Sequence, residues 1–310
     1  AAKDFAGAVA AYGLALADDA PLALERATLL GNRAAGHLEL GDFEDAAADG
    51  TAALAVYGNA TFTRDAAGRA ARDLVETARA QVAALVGVPS GSVTFVSGGT
   101  EANAFAIESA KVAGFERIIV GATDHDAVIE TAKASGLPVE TWPVDANGVA
   151  HMAWLEADLK APGRALVCLM LANNETGVLQ PVAEASALVR AADGWLHIDA
   201  VQAAGKIAID FSALGADTMA LSAHKLGGPQ GVGALVAGTR ATLSRRQHGG
   251  GQERGRRAGT ENVAGIAAFG AAVEAASRDL PLMAPQAQWR DTLAERVKAE
   301  GAVVLGEGAE

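Results

Sequence analysis

At 310 residues the chain can bury a substantial core and has room for more than one domain. Half of it is hydrophobic and its formal charge is −12, which argues against a general binder of nucleic acid or anionic membrane but leaves room for a local basic pocket. A single cysteine excludes an internal disulfide framework and any cysteine-rich metal site, and no uninterrupted apolar run reaches membrane-spanning length. No basic-then-apolar signal segment opens the chain, so the cytoplasm or an organelle matrix is the expected location. The lack of a starting Met and the ending Gly306-Glu307-Gly308-Ala309-Glu310 are what a fragment would show.

Residues 1–56 read as helices separated by short turns. The run Asp4-Phe5-Ala6-Gly7-Ala8-Val9 returns as Asp42-Phe43-Glu44-Asp45-Ala46-Ala47, with Phe5 and Phe43 38 positions apart. Self-similarity near a helix-pair period marks a stacked repeat, the alternative being ordinary Ala-rich helices. Asn32-Arg33-Ala34-Ala35, followed by Leu40-Gly41-Asp42-Phe43, resembles a tetratricopeptide (TPR) repeat, which implies a peptide partner. A stable stack takes roughly three repeats, so this segment is expected to pack on the rest of the chain or on further repeats.

From Tyr57 the texture changes. A helix over about 66–86 leads to a strand at Val93-Thr94-Phe95-Val96, then a helix near 101–113, a strand at 117–121, a helix at 126–135 and a strand at 138–142. A strand at 165–171, a helix at 181–191, and strands at 195–198, 217–221 and 232–236 follow, with helices at 261–276 and 285–299 closing the chain. Alternation at this spacing predicts an α/β fold, a mostly parallel sheet with helices on both faces. In such sheets ligands bind beyond the carboxyl ends of the strands, where the candidate chemistry of this chain falls. The division expected is a TPR-like segment over 1–56, a large domain over 57–276 and the start of a truncated small domain over 277–310.

Ser97-Gly98-Gly99-Thr100-Glu101-Ala102-Asn103 follows the first strand and opens a helix. Glycines such as Gly99 let backbone N–H groups approach a phosphate, the helix N-terminus favours an anion, and Thr100 adds a hydroxyl; an ordinary capped turn has the same look. His125, in Thr123-Asp124-His125-Asp126, reads either as a partner for a flat ring or proton shuttle, or as a loop histidine beside a helix cap. Cys168 lies inside an apolar strand and reads as a small buried hydrophobe. That strand ends in Asn173-Asn174-Glu175-Thr176-Gly177, where amides can position a polar ligand.

Asp199 closes the strand Trp195–Ile198, and Lys225 lies 26 residues later in Ser222-Ala223-His224-Lys225-Leu226-Gly227-Gly228-Pro229. A lysine in a small-residue turn after an apolar strand is suited to imine formation, and an aspartate at a strand end suits a pyridinium nitrogen. Together they are the protein's side of pyridoxal 5'-phosphate (PLP) chemistry. Gln202 is placed to reach a ring hydroxyl, and Ser222 and His224 to contact a phosphate or frame the imine. Each alone has a plainer explanation, as a cap, a solvent-facing amide or a surface lysine; their joint occurrence at strand ends favours the cofactor. His248-Gly249-Gly250-Gly251-Gln252-Glu253-Arg254-Gly255-Arg256-Arg257-Ala258-Gly259-Thr260 reads as a basic anion-binding loop or a solvated linker.

In this order, with Gly68-Arg69-Ala70-Ala71-Arg72 ahead of them, these blocks resemble the class V aminotransferase-like PLP enzymes of fold-type I, and among those the cysteine desulfurases of the NifS/IscS type. The resemblance covers residues 57–280. It implies a PLP-dependent transferase that removes sulfur from L-cysteine to give alanine, in the service of iron–sulfur cluster assembly. Lys225 would be the Schiff-base lysine and proton-transfer base, and His125 would stack on the ring. Asp199 would pair with the ring nitrogen and Gln202 with the ring oxygen. Thr100, Ser222 and His224 would hold the phosphate, and Asn174 would lie against cofactor and substrate. Thr260 would reach the phosphate of a partner subunit's cofactor, which implies a homodimer, and a sulfur-acceptor or scaffold protein is a further implied partner. No motif suggests a metal.

The departures concern both ends. The family's opening strand, with its Asn-Asn-Ala-Thr-type motif, has TPR-like helices in its place, and only the surroundings of Gly58-Asn59 resemble what should follow. The persulfide-forming cysteine and the arginine for the substrate carboxylate are expected beyond Glu310, and Cys168 occupies a different motif position. Other class V reactions, by a selenocysteine lyase or a transaminase, and a TPR-bearing interaction protein with a degenerate PLP domain are the competing readings.

Overall fold

A computed structural model of the chain describes Leu30 and residues 66–309. The TPR-like segment expected over 1–56 lies outside the described residues, Leu30 apart. The described chain divides into two compact units, residues 66–78 with 262–268 in one and residues 79–261 with 269–309 in the other.

The smaller unit contains the start of α1 (Ala66–Leu85). Along α1, Ala71, Val75, Ala78 and Val82 are buried while Arg72, Asp73, Glu76 and Thr77 are exposed, the spacing of an amphipathic helix. The larger unit contains the whole sheet. Its elements are β1 (Val93–Val96), α2 (Gly99–Val112), β2 (Arg117–Gly121), α3 (Asp126–Ala134), β3 (Val139–Trp142), α4 (Met152–Asp158) and β4 (Ala165–Met170). They continue with α5 (Val182–Ala191), β5 (Trp195–Asp199), α6 (Phe211–Leu214), β6 (Thr218–Ser222) and β7 (Gly233–Ala237). Two longer helices, α7 (Val263–Asp279) and α8 (Met283–Ala299), complete the described chain.

The seven strands form one sheet in the order β1-β7-β6-β5-β4-β2-β3. Pairings from β6 through β5, β4 and β2 to β3 are parallel, whereas β7 is antiparallel to both of its neighbours, β6 and β1. Six strands therefore point one way and β7 alone is reversed. The mostly parallel sheet is as expected; the reversal is a local exception. Every strand except β3, which lies at one edge, is buried along its full length, as the near-continuous apolar runs require. Ile107 and Phe115 join Ile118, Val120, Leu166, Cys168 and Trp195 in one cluster, and Val96, Phe105, Ala220 and Leu235 form another. Cys168 is fully buried, as its apolar strand suggested.

Two short helices, α4 and α6, were not expected from the pattern. Neither is long enough for a 3.6-residue periodicity to declare itself. α6 nonetheless carries its own signals: Asp210 caps it by accepting from Ser212 N and Ala213 N, and Gly215 ends it in the left-handed region at φ 69°. Among the described residues, no helix is long and apolar enough to cross a membrane.

Candidate active site

Because β1, β2, β4, β5 and β6 run the same way, their carboxyl ends deliver Ser97, Ala122, Leu171, Ala200 and Ala223 to one edge of the sheet. A cavity of about 260 Å³ opens there, lined by Gly99, Thr100, Asn103, His125, Ala127, Met170, Ala172, Asn174, Asp199, Val201, Gln202, Ser222, His224 and Lys225. Nine of the ten residues singled out in the sequence meet in it. The tenth, Thr260, is exposed and outside this lining.

α2 begins at Gly99, two residues earlier than the pattern suggested, so the helix start, whose N–H groups lack intrahelical partners, borders the cavity at Gly99 and Thr100. A Cβ at Gly99 would meet Val201 Cγ2 at 2.8 Å, so glycine here lets the helix start approach the turn after Asp199. Glu101 in that first turn accepts from Ser97 N at 2.6 Å and pairs with Arg257 at 3.1 Å. Burial opposes its ionisation, but Arg257 and Ser97 together hold its carboxyl below the usual range.

His125 is the N-cap of α3 and accepts at Nδ1 from Ala127 N over 3.0 Å. The cap and cavity readings of this residue are thus compatible: capping uses Nδ1 and puts the ring proton on Nε2, free for the cavity. Its neighbour Asp124 is buried and ties two strand ends together, accepting from Gly121 N at 2.9 Å and Met170 N at 2.7 Å. Burial pushes its carboxyl up to about 8, against the pull of those two donors.

Asp199 ends β5 nearly buried, with Oδ1 accepting from Val201 N at 3.0 Å and Oδ2 from Asn103 Nδ2 at 2.7 Å. Burial raises its carboxyl above the ordinary value, and the Val201 and Asn103 donors counter that rise. Lys225 is exposed on a 3₁₀ turn over Ala223–Leu226 directly after β6, held by Gly227 in the left-handed region at φ 85°. Ser222 Oγ lies 2.9 Å from His224 Nδ1. Burial, then the Lys225 cation, keep His224 below its ordinary value. Asn174 is exposed at the rim, with Nδ2 donating to Glu175 at 2.7 Å.

Asn103, Asp124 and His197 lie within motif blocks of the sequence but received no role of their own there, and Lys206 was not singled out. Lys206 donates to Gln202 O at 2.9 Å, and burial followed by the Lys225 cation lowers its pKa. Asn103 and His197 matter through partners far away in sequence, whereas Asp124 and Lys206 also bind close neighbours, Gly121 and Gln202. Cys168 is unsuited to thiolate chemistry, its thiol pushed well up by burial and by the carboxylates Asp124 and Asp199. Among the described residues there is no group of three or more side chains able to hold a metal ion.

Residues 48–300 match the aminotransferase class-V family. The chain is similar to the cysteine desulfurase IscS of Dictyoglomus turgidum, 39% identical over 67% of this chain and 54% of that protein. A mitochondrial cysteine desulfurase of Drosophila melanogaster is 38% identical over 78% of this chain and 53% of that protein. Among solved structures, a NifS-like protein from Rickettsia africae superposes with a TM-score of 0.75 at 30% identity, covering 80% of this chain and 70% of that one. The chain spans about half the length of the curated relatives it matches.

The α/β fold with its mostly parallel seven-stranded sheet is that of PLP fold-type I. The donor set fits that cofactor on its own terms. One cavity offers an amine, a nearly buried carboxylate, an imidazole face, hydroxyls and a helix start. From this match of sequence, sheet and site, the chain belongs to the class-V aminotransferases, a family whose members use pyridoxal phosphate.

Proposed function

We propose that this chain carries the PLP site of a cysteine desulfurase acting on L-cysteine. The observation that carries the reading is the meeting of Lys225 and Asp199 in one cavity beyond the strand ends, beside the start of α2. Similarity to cysteine desulfurases from two organisms and to a NifS-like structure supports the choice of reaction within the family.

Bound PLP would supply an electron sink for the carbanion formed at the substrate's α-carbon. Lys225 would anchor the cofactor and move the proton at that carbon. Asp199 would keep a proton on the pyridine nitrogen, and Gln202 would donate to the ring oxygen. His125, whose Nδ1 is taken up by the α3 cap, would cover the ring. Thr100, Ser222, His224 and the N–H groups opening α2, Gly99 included, hold the phosphate. Asn174 orients the amino acid at the rim. Thr260 serves the site of a second copy, so the working unit is a homodimer. The sulfur-accepting thiol is not Cys168, which is buried inside β4, and a sulfur-acceptor or scaffold protein is a further expected partner of the working enzyme.

Adding PLP to the purified chain should produce a visible absorption band that is absent in Lys225→Ala. Alanine release from L-cysteine in the presence of a small thiol should follow the same pattern. A chain that never develops the band overturns the reading, and a band with keto-acid or selenide release but no sulfide assigns a different class-V reaction.

A further inference from the structure

Behind the cavity a line of buried polar groups ends on Asp199. Thr218 Oγ1 lies 2.8 Å from His197 Nδ1, His197 Nε2 lies 2.9 Å from Asn103 Oδ1, and Asn103 Nδ2 donates to Asp199 Oδ2 over 2.7 Å. All four residues are buried, His197 completely. They come from three elements: Asn103 from the second turn of α2, His197 and Asp199 from β5, and Thr218 from β6. β5 and β6 pair with His197 beside Thr218, which brings imidazole and hydroxyl together.

Valence sets the direction of the line. An ionised carboxylate only accepts, so Asn103 turns its NH₂ toward Asp199 and its oxygen toward His197. That oxygen needs a donor, which places the imidazole proton on Nε2 and leaves Nδ1 to accept from the Thr218 hydroxyl. Burial holds His197 down at about 3, so the ring is neutral at physiological pH and the line does not reverse. In such a chain each bond polarises the next, and the whole points its donors at one carboxylate oxygen.

We propose that Asn103, His197 and Thr218 are positioning residues that keep Asp199 ionised and oriented toward a ring nitrogen bound in the cavity. The inference rests on the reading of the cavity as a PLP site and adds to it what sets the strength of Asp199. The other charged or titratable groups near Asp199 are His125, Asp124, the Cys168 thiol and, across the cavity, Lys225. Of the side chains around it, only Asn103 makes a direct hydrogen bond to Asp199 among the described residues.

The test reads the pH midpoint of the visible band in the PLP-loaded full chain. With the Asn103 donor gone, Asp199 binds its proton more tightly and the ring nitrogen loses positive charge. The protonated nitrogen joining lysine and cofactor is then less disfavoured, and the midpoint rises. Asn103→Leu should raise it by about one pH unit, the scale of one hydrogen bond to a charged group. Thr218→Val, remote from the cavity and nearly isosteric, should move it the same way by less, and Thr218→Ser should restore it. Unshifted midpoints in loaded Asn103→Leu and Thr218→Val overturn the proposal.

If Asn103→Leu fails to fold, Thr218→Val decides the shift. ¹⁵N-histidine spectra of the wild-type full chain, assigned with His197→Gln, then report the tautomer without any cofactor. A neutral ring protonated at Nε2 is expected; a charged or Nδ1-protonated ring at neutral pH overturns the relay. A wild-type chain with no visible band overturns the cofactor reading and the role built on it, an outcome distinct from an unshifted band.

Discussion

Protonating His197 would place a cation inside β5, between Asn103 and Thr218, with no carboxylate hydrogen-bonded to it among the described residues. Its pKa is about 3 in the folded chain against an ordinary 6.5. Between those values the unfolded chain binds the extra proton, so stability rises with pH there; it is fully present above about 6.5 and is lost as pH falls toward 3. His197→Gln retains an N–H for Asn103 but does not titrate. Urea midpoints measured from pH 3 to 7 should therefore fall less steeply in the variant, and parallel curves would contradict the linkage. The contrast between His197 and Asp199 also shows what a sequence reveals at this scale. Asp199 and Lys225 were legible because Asp199 ends an apolar strand with a charged group and Lys225 lies in the small-residue turn that directly follows another. His197 sits two residues before Asp199, yet its partners are 94 and 21 positions away, so only the packed sheet reveals its task. Asn103, in an Ala-rich helix, is silent for the same reason.

At the level of elements, strand existence was legible from apolar runs, but direction was not, since an apolar run reads the same either way. β7 is the case in point. Its first residue, Gly233, pairs with Val96 on one side and Ser222 on the other, at the edge that carries the cavity. A Cβ there would come within 2.6 Å of Leu221 O and 2.7 Å of Gly98 C, both backbone atoms. Glycine at 233 thus sets how closely β7 can carry the turn before α2 against the end of β6. Gly233→Ala should cost about 3 kcal/mol, the upper part of the usual range for overpacking, because backbone cannot rotate aside as a side chain does. Denaturant unfolding measures that cost, and PLP retention should weaken alongside it as Gly98 is displaced from the helix start. A stability within about 0.5 kcal/mol of wild type would mean that the two strands yield more easily than this packing implies.

Across the whole molecule, the loop over 248–260 is the part whose role was least legible, since a basic glycine-rich segment reads equally as linker or anion site. It is seated firmly. Glu253 is buried, pairs with Arg79 at 2.7 Å and accepts from Phe95 N at 2.8 Å, which holds Glu253 and Arg254 in the left-handed region at φ 46° and 58°. Arg257 is pinned to Glu101 at the start of α2. In the proposed dimer Thr260, exposed and outside the lining of its own cavity, would serve the site of a second copy. Thr260→Ala should accordingly weaken PLP binding roughly ten- to hundredfold, the range for one hydrogen bond to a charged group. Subunit mixing then separates a shared site from a self-contained one. Lys225→Ala subunits cannot anchor PLP but retain Thr260, whereas Thr260→Ala subunits retain Lys225. Hybrid dimers of the two contain one site with both residues intact, so titration of the mixture should recover a tight-binding class that neither variant shows alone. If Thr260 acted within its own subunit, every site in the mixture would lack one of the two residues, and no tight class would appear.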